Sequence, residues 1–183
     1  MAPGLFAYVV QKHKATALHY DFRLEIGGTM PSWSVPKGPT LDPSMKRLAM
    51  PTGPHDLDYR HFEGVIPSGS YGAGAVMVWD EGTFSPEVEV SRGTRRLVTD
   101  RSEAEEVARA SLRDGNLKFT LDGKKLQGSF ALVRTKMLGG SREAWLLIKH
   151  RDQHCKPGYD ANDFDLSAVS GRTLAQVAAE ATP

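Results

Sequence analysis

The chain has 183 residues, of which 40% are hydrophobic and 25% are charged, a composition typical of one globular domain with its own core. Its formal net charge of +1 excludes a strongly basic nucleic-acid-binding protein, so any such binding would need a local patch. A single cysteine excludes an internal disulfide, and no apolar run approaches the roughly 20 residues of a membrane span, so we expect a cytoplasmic monomer without membrane contact.

The first two predicted strands are joined by a short loop. Residues 6–11 alternate between apolar and polar side chains, which predicts a strand, and this strand ends near His13. Residues 19–25 predict a second strand, whose apolar face suits a protein core. Its other face is polar and carries His19, Asp21, Arg23 and Glu25. Such a face fits either a binding site or a solvent-exposed strand edge, and the strand alone does not separate these interpretations.

Turn-forming residues organise the middle of the chain. The pair Gly27-Gly28 predicts a tight hairpin after the second strand. Residues 68–74 are rich in glycine, but no helix start follows them as it would in a phosphate-binding loop. We therefore interpret these glycines as turn and bulge positions, and Tyr71 among them is as consistent with packing as with function.

One helix is clearly predicted, at residues 102–114. Ser102 and Glu105 have the spacing of a capping box, and Gly115 follows as a stop signal. Further strands are predicted at 75–79, 117–121, 128–134 and 144–149, and a second, short helix at 172–180.

Many short strands with frequent glycine and proline turns favour a mainly β protein. We expect residues 1–156 to form a single antiparallel β-barrel domain with one main helix. Residues 157–183 would form a C-terminal tail or linker with a short helix.

A metal site is predicted where the first two strands meet. If those strands pair, His13 in the first can converge with His19 and Asp21 in the second on one ion. Imidazole and carboxylate ligands suit zinc, which takes three protein ligands and a water in catalytic sites, and also suit manganese. Arg23 lies on the same face and can reach a bound phosphate with a forked pair of donors.

Several longer motifs make the chain recognisable. They are Gln11-Lys12-His13-x-Ala15-x-x-Leu18-His19-Tyr20-Asp21-Phe22-Arg23-Leu24-Glu25, Trp33-x-Val35-Pro36-Lys37-Gly38-Pro39 and Asp58-Tyr59-x-x-Phe62-Glu63-Gly64. In this order they resemble the signature of the 3′-phosphoesterase domain of bacterial DNA ligase D and its free-standing relatives. The resemblance covers roughly residues 5–150.

The resemblance implies a manganese-dependent β-barrel enzyme of DNA end repair, with other divalent transition metals as alternatives. Such an enzyme removes a 3′-ribonucleotide or a 3′-phosphate and leaves a 3′-hydroxyl. Its partners would be DNA or RNA/DNA 3′ ends at primer–template junctions. Ligase and polymerase components and the end-binding protein of end joining would be further partners.

The resemblance also assigns roles to individual residues. The implied metal ligands are His13, His19 and Asp21, the catalytic phosphate contacts are Arg23, His55 and Tyr59, and Lys37 and Arg47 are basic substrate-binding groups. From the residues themselves we expect Gln11 to hold the His13 ring on the substrate-binding side of the site. Asp56 departs from the family pattern and is expected to raise the pKa of its neighbour His55.

Two other functions remain open at this point. His19 and Asp21 with a distant histidine imitate the two-His-one-carboxylate triad of mononuclear iron oxygenases, although His13 and Arg23 would then be unexplained. The second alternative is a non-catalytic barrel that only binds DNA ends. The complete set of implied ligands in the sequence argues against such a loss of activity.

Overall fold

The computed structural model describes residues 4–136 and 143–180. In these ranges the chain forms ten strands: β1 (Phe6–Lys14), β2 (Leu18–Leu24), β3 (Met30–Val35), β4 (Arg47–His55), β5 (Gly64–Ile66), β6 (Gly74–Ser91), β7 (Thr94–Leu97), β8 (Asn116–Gly123), β9 (Gln127–Thr135) and β10 (Ala144–Lys149). It also forms the helices α1 (Arg101–Asp114) and α2 (Leu174–Glu180) and two 3-10 helices, Leu57–His61 and Ala161–Asp163. None of the helices in these ranges has the length and apolar character needed to cross a membrane.

The strands close a ring in which every pair is antiparallel. The order around the ring is β1, β2, β3, β4, β10, β9, β8 and β6, and β6 pairs back onto β1. Outside the ring, β5 adds to β6, and the distal part of β6 forms a hairpin with β7. The predicted mainly β, antiparallel fold with one main helix is confirmed, and the ring is the arrangement expected of a barrel.

Alternation along β2 places apolar and polar side chains on opposite faces of the sheet. The inner face contributes to a core rich in aromatic side chains: Tyr8, Tyr20, Phe22, Trp33, Trp79, Phe84, Phe119, Phe130 and Trp145. The opposite face carries Asp21 and Arg23, which are only 6% and 3% exposed. The interpretation of this strand as a solvent-exposed edge is therefore wrong, because β2 is paired on both sides, with β1 and β3, and its central polar side chains Asp21 and Arg23 are buried.

Helix α1 begins earlier than the sequence predicts. Its N-cap is Asp100, whose carboxylate accepts a hydrogen bond from the backbone N–H of Glu103 at 2.8 Å. The predicted capping box of Ser102 and Glu105 is wrong, because Asp100 is an equally good cap half a turn upstream. The predicted stop is confirmed, since Gly115 ends the helix with a left-handed φ of 76°.

The segment 157–180 packs against the ring. Asp165 forms an ion pair with Lys12 of β1 at 2.7 Å, and the carbonyl of Phe164 accepts a hydrogen bond from the Trp79 indole at 2.6 Å. The Glu63 carboxylate, next to β5, is held by Ser167, Ser170 and Arg172. These contacts attach the segment to strands β1 and β6, while the division of the chain at residue 156 stays a prediction.

Candidate metal centre and phosphate site

The pairing of β1 with β2 builds the predicted metal site. Its register places His13 opposite His19 and Gln11 opposite Asp21. Because the side chains of directly opposed residues point to the same face, these four groups lie together on the outer face of the ring. The strands are adjacent in sequence, so this part of the site is assembled by a short local connection.

His13, His19 and Asp21 converge on one point. Their ligand atoms all lie within 4.8 Å of one another. The Oδ2 atom of Asp21 is 3.2 Å from Nε2 of His19 and 3.6 Å from Nδ1 of His13. Two nitrogens and one oxygen at this spacing can hold a divalent cation and leave positions for water or substrate.

Backbone carbonyls orient both imidazole rings. A carbonyl can only accept, so Nε2–H of His13 donates to Gly72 O at 2.8 Å and Nδ1–H of His19 donates to Ala17 O at 3.3 Å. In the neutral rings this leaves Nδ1 of His13 and Nε2 of His19 facing Asp21 with free lone pairs. Metal-binding histidines are commonly fixed in this way, so the ring orientations as well as the spacing fit a metal.

Asp21 and His19 have pKa values that the site shifts in opposite directions. Burial opposes ionisation of Asp21, but interactions with His13 and His19 and the charge of Arg23 outweigh it and hold the Asp21 pKa well below its usual range. When its Nε2 is protonated, His19 donates a hydrogen bond to Asp21, and this bond raises the pKa of His19. Because the ligand nitrogen of His19 can bind either a proton or a cation, acid would compete with metal binding here.

Arg23 is fixed beside Asp21 by its own hydrogen bonds. Its Nε–H donates to Gln11 Oε1 at 2.7 Å. Its Nη1 donates to Ser32 Oγ at 2.9 Å and to His55 Nδ1 at 3.0 Å, while Nη2 lies 3.4 Å from Asp21 Oδ2. These contacts use the Nε and Nη1 donors of Arg23. The prediction that Arg23 offers a forked pair of free donors to a phosphate is therefore wrong. Nη2 is the nitrogen left to face a bound phosphate.

Gln11 was expected to hold the His13 ring, but its side chain supports Arg23 instead. Besides accepting from Arg23, it donates through Nε2 to the carbonyls of Tyr59 at 2.9 Å and Phe62 at 3.1 Å. The side chain is fully buried. We therefore revise its predicted role from a substrate contact to a support that links β1, Arg23 and the 3-10 helix Leu57–His61.

His55 and Tyr59 form an aromatic stack beside Arg23. Their ring centroids are 4.5 Å apart, and Tyr59 stacks in turn on Phe62 at 5.3 Å. The central guanidinium carbon of Arg23 lies 5.1 Å from the centre of the Tyr59 ring. This stack restricts both the imidazole and the guanidinium to one orientation.

The surroundings of His55 favour its neutral form. Burial and the charge of Arg23 lower the His55 pKa. Asp56 acts in the expected direction and raises it, but its effect is smaller, so the net shift of the His55 pKa is downward. A guanidinium can only donate, so Nδ1 of His55 accepts and the neutral ring carries its proton on Nε2. His55 is therefore suited to donate one hydrogen bond from Nε2 at neutral pH.

These side chains line a solvent-open cavity of about 830 Å³. The predicted site residues in its lining are His13, His19, Asp21, Arg23, His55 and Tyr59. Lys37 and Arg47 are not among the described residues that line it. Lys37 is exposed, and Nε of Arg47 donates to the Gly38 carbonyl at 3.1 Å. Their predicted role in substrate binding stays a prediction.

Sequence reasoning missed the groups that hold the site together. Ser32 fixes Arg23, Phe62 supports Tyr59, and the Gly72 carbonyl orients His13. The glycine-rich composition of 68–74 was the available signal for Gly72, since a tight turn there brings the backbone close to the ring. Ser32 had no such signal, because an isolated serine in a strand does not indicate its cross-strand partner.

The chain is similar to one protein family and to several longer proteins. A sequence model of the DNA ligase D 3′-phosphoesterase domain matches residues 11–134. The multifunctional non-homologous end joining protein LigD of Pseudomonas aeruginosa is 45% identical over 177 residues, which is 93% of this chain and 18% of that protein. The LigD proteins of Mycobacterium tuberculosis and Mycolicibacterium smegmatis are 38% and 36% identical over 146 residues, 80% of this chain and 16% and 17% of theirs. The chain thus spans less than a fifth of the length of these relatives.

Proposed function

The chain belongs to the DNA ligase D 3′-phosphoesterase domain family, and on that premise we propose that it is a metal-dependent phosphoesterase of DNA 3′ ends. Its substrates would carry a 3′-phosphate or a 3′-ribonucleotide, and its product would be a 3′-hydroxyl that a polymerase or ligase can use. The similar proteins are named for non-homologous end joining, which supports a role in that repair process.

One observation carries the proposal: three side chains that could hold a metal ion and a fixed guanidinium line the same cavity. The ligand atoms of His13, His19 and Asp21 lie within 4.8 Å of one another, and Nη2 of Arg23 is 3.4 Å from the same carboxylate oxygen. A phosphate bound at this point would be neutralised from two sides. This is what phosphoryl chemistry requires of a protein, since most of its catalysis is positioning and charge stabilisation.

The residues have separable roles in the proposed reaction. A divalent cation held by His13, His19 and Asp21 would supply a Lewis acid for the phosphoryl oxygens and a more acidic bound water. Arg23 would offer Nη2 to a phosphate oxygen, held in place by Gln11. His55 would donate its Nε2 proton to a developing oxyanion or to the leaving oxygen.

Tyr59 and two basic residues would complete the substrate site. Tyr59 lines the cavity, and its hydroxyl can donate a hydrogen bond to phosphate. Lys37 and Arg47 would add positive charge along the path of the nucleic acid outside the cavity. This local charge would compensate for the net charge of only +1.

Mixed nitrogen and oxygen ligands fit Mn²⁺, which we propose as the cofactor, and other divalent transition metals fit the same donors. The partners we propose are 3′ ends at primer–template junctions, with ligase, polymerase and end-binding components of end joining. His13, His19 and Asp21 also make a two-His-one-carboxylate set, so an iron oxygenase is the second candidate that this donor set favours.

The test uses a labelled primer–template with a 3′-phosphate or a single 3′-ribonucleotide. We expect conversion to a 3′-hydroxyl with Mn²⁺ and none after chelation of the metal. Asp21→Asn should abolish the conversion, whereas His61→Ala, which changes an exposed histidine outside the cavity lining, should retain it.

Three measurements on the same protein separate the alternatives. Release of phosphate supports the esterase, and tight binding of the end without turnover at any divalent metal supports a binding module. Oxygen uptake with Fe²⁺ and an organic cosubstrate, without phosphate release, would reject the esterase in favour of an oxygenase.

A further inference from the structure

Tyr71 lines the cavity of the candidate site and yet has its side chain entirely in solvent. Its relative exposure is 103%, higher than that of any other large hydrophobic side chain in the described residues. The sequence is as consistent with packing as with function at this position, and full exposure excludes packing within this chain. An aromatic ring at the rim of a cavity that contains charged side chains is therefore available to a ligand.

Two consecutive turns hold Tyr71 in place. The backbone N–H of Ser70 bonds to Pro67 O at 3.2 Å, and that of Ala73 bonds to Ser70 O at 3.2 Å. Gly69 and Gly72 occupy the third position of these turns with φ values of 90° and 74°, as type II turns require. Tyr71 is at the second position of its turn, so a defined backbone presents its ring at the tip of the loop.

The loop is attached to the candidate metal centre. The Gly72 carbonyl accepts the 2.8 Å hydrogen bond from His13 that orients this ligand. Consecutive Cα atoms are about 3.8 Å apart, so Tyr71 is one residue step from a group that touches His13. Tyr71 and the three candidate ligands therefore line the same cavity from neighbouring segments.

We propose that Tyr71 stacks against the terminal nucleobase of the 3′ end whose phosphate occupies the candidate metal centre. This inference rests on the proposed function. Every nucleobase presents a π-face, so stacking would hold ends of any sequence, as an end-repair enzyme needs. Tyr71 is thus a positioning residue that selects for a nucleotide over a small phosphate ester.

The test compares two oligonucleotides that differ only at the 3′-phosphorylated terminal nucleotide, which carries a base in one and is abasic in the other. For Tyr71→Ala we expect KM for the base-bearing end to rise about tenfold with little change in kcat, and KM for the abasic end to stay unchanged. Tyr71→Phe should behave as the unmodified protein. Val65→Ala is the matched control, since Val65 is 37% exposed on the neighbouring β5 and lies outside the cavity lining.

Several outcomes would overturn the inference. Equal changes in KM for both oligonucleotides would mean that Tyr71 only supports the loop. A loss of affinity in Tyr71→Phe would mean that the hydroxyl, and not the face of the ring, makes the contact. Unchanged kinetics in Tyr71→Ala would mean that the ring contacts nothing.

A binding measurement keeps this test independent of catalysis. The probe is an oligonucleotide whose 3′-phosphorylated terminal nucleotide carries 2-aminopurine as its base. The unmodified protein should quench the 2-aminopurine fluorescence, and Tyr71→Ala should not. If the protein releases no phosphate but quenches the probe in this pattern, the proposed function fails and the stacking stands. If phosphate is released but both proteins quench equally, the stacking fails and the proposed function stands.

Discussion

Asp21 on β2 and Asp80 on β6 are both buried aspartates on the two strands that pair with β1, but their partners differ. Asp21 is surrounded by side-chain nitrogens of His13, His19 and Arg23 at the floor of an open cavity. Despite its burial, these groups hold the Asp21 pKa well below its usual range. It is a negative charge with access to solvent.

Asp80 is enclosed by the fold. Its Oδ2 accepts from the Tyr8 hydroxyl at 2.6 Å and from the Leu126 N–H at 3.0 Å, and its Oδ1 accepts from the Lys125 N–H at 2.8 Å. Burial raises the Asp80 pKa in spite of these hydrogen bonds. Its oxygens fasten the 124–126 turn to β6 and β1, and none of its contacts indicates a ligand.

The difference shows that burial alone does not mark a functional carboxylate in this protein. What distinguishes Asp21 is that its partners are a guanidinium and two imidazoles in a cavity, whereas the partners of Asp80 are a hydroxyl and backbone amides. Perturbed pKa values occur at both positions, in opposite directions, and only the kind of partner separates them.

Replacing Asp21 should give the largest effect on activity. In Asp21→Asn a neutral amide takes the place of the shared anionic ligand, so we expect phosphate release to fall more than about 100-fold and Mn²⁺ binding to weaken. Phosphate release and calorimetric Mn²⁺ titration measure the two effects. A variant that keeps both would show that the three-residue site does not hold the metal.

Replacing Asp80 should instead act on stability. Asp80→Ala leaves the Tyr8 hydroxyl and two backbone N–H groups without their acceptor, and we expect a loss of about 3 kcal/mol in the free energy of unfolding. Urea unfolding followed by tryptophan fluorescence measures this loss. Activity per folded molecule should be unchanged at low temperature. A loss of turnover in molecules that remain folded would contradict the purely structural role of Asp80.

Arg23→Lys tests the fixed guanidinium next to Asp21. Lysine keeps the charge but cannot bond to Gln11, Ser32 and His55 at once, so we expect kcat to fall about 100-fold while Mn²⁺ affinity stays the same. Steady-state kinetics with a 3′-phosphate oligonucleotide provide the measurement. Unchanged kcat would remove Arg23 from the proposed phosphate contacts.

Gln11→Met tests whether support of Arg23 matters. Methionine keeps most of the volume but removes the acceptor for Arg23 and the donors to the Tyr59 and Phe62 carbonyls, so we expect about a tenfold loss of kcat. The pH profile of kcat should also shift, because His55 shares the Arg23 guanidinium. A loss of thermal stability with normal kcat would make Gln11 purely structural.

The smallest expected effect is in the pH dependence of stability. The Asp80 pKa is raised above its ordinary value of 3.8, so the folded state holds this proton more tightly than the unfolded state. The stability that protonated Asp80 contributes is fully present at pH values below its ordinary pKa of 3.8, and it is lost as the pH rises through the raised pKa of the folded state. Asp80→Asn should lack this slope in urea unfolding at pH values above 3.8. An unchanged slope in the variant would show that another group produces it.

The sequence alone predicts much of the fold and one part of the site. Strand alternation predicts β1 and β2, and the short loop between them predicts that His13, His19 and Asp21 meet. These contacts are local, because pairing of two adjacent strands follows from their hydrophobic pattern and connection. The stop of α1 at Gly115 is predictable for the same reason, since it depends on a single residue's backbone preference.

The tertiary structure decides what surrounds those ligands. The Gly72 carbonyl on His13, the bond from Arg23 to His55 and the bonds from Gln11 to the Tyr59 and Phe62 carbonyls join segments 30 or more residues apart. Whether such groups meet depends on how the ring closes and on which loop covers its outer face. A side chain's own sequence neighbourhood carries no information about that closure. The sequence therefore determines which candidate ligands are present, and the fold determines their orientation, their surroundings and the access of solvent.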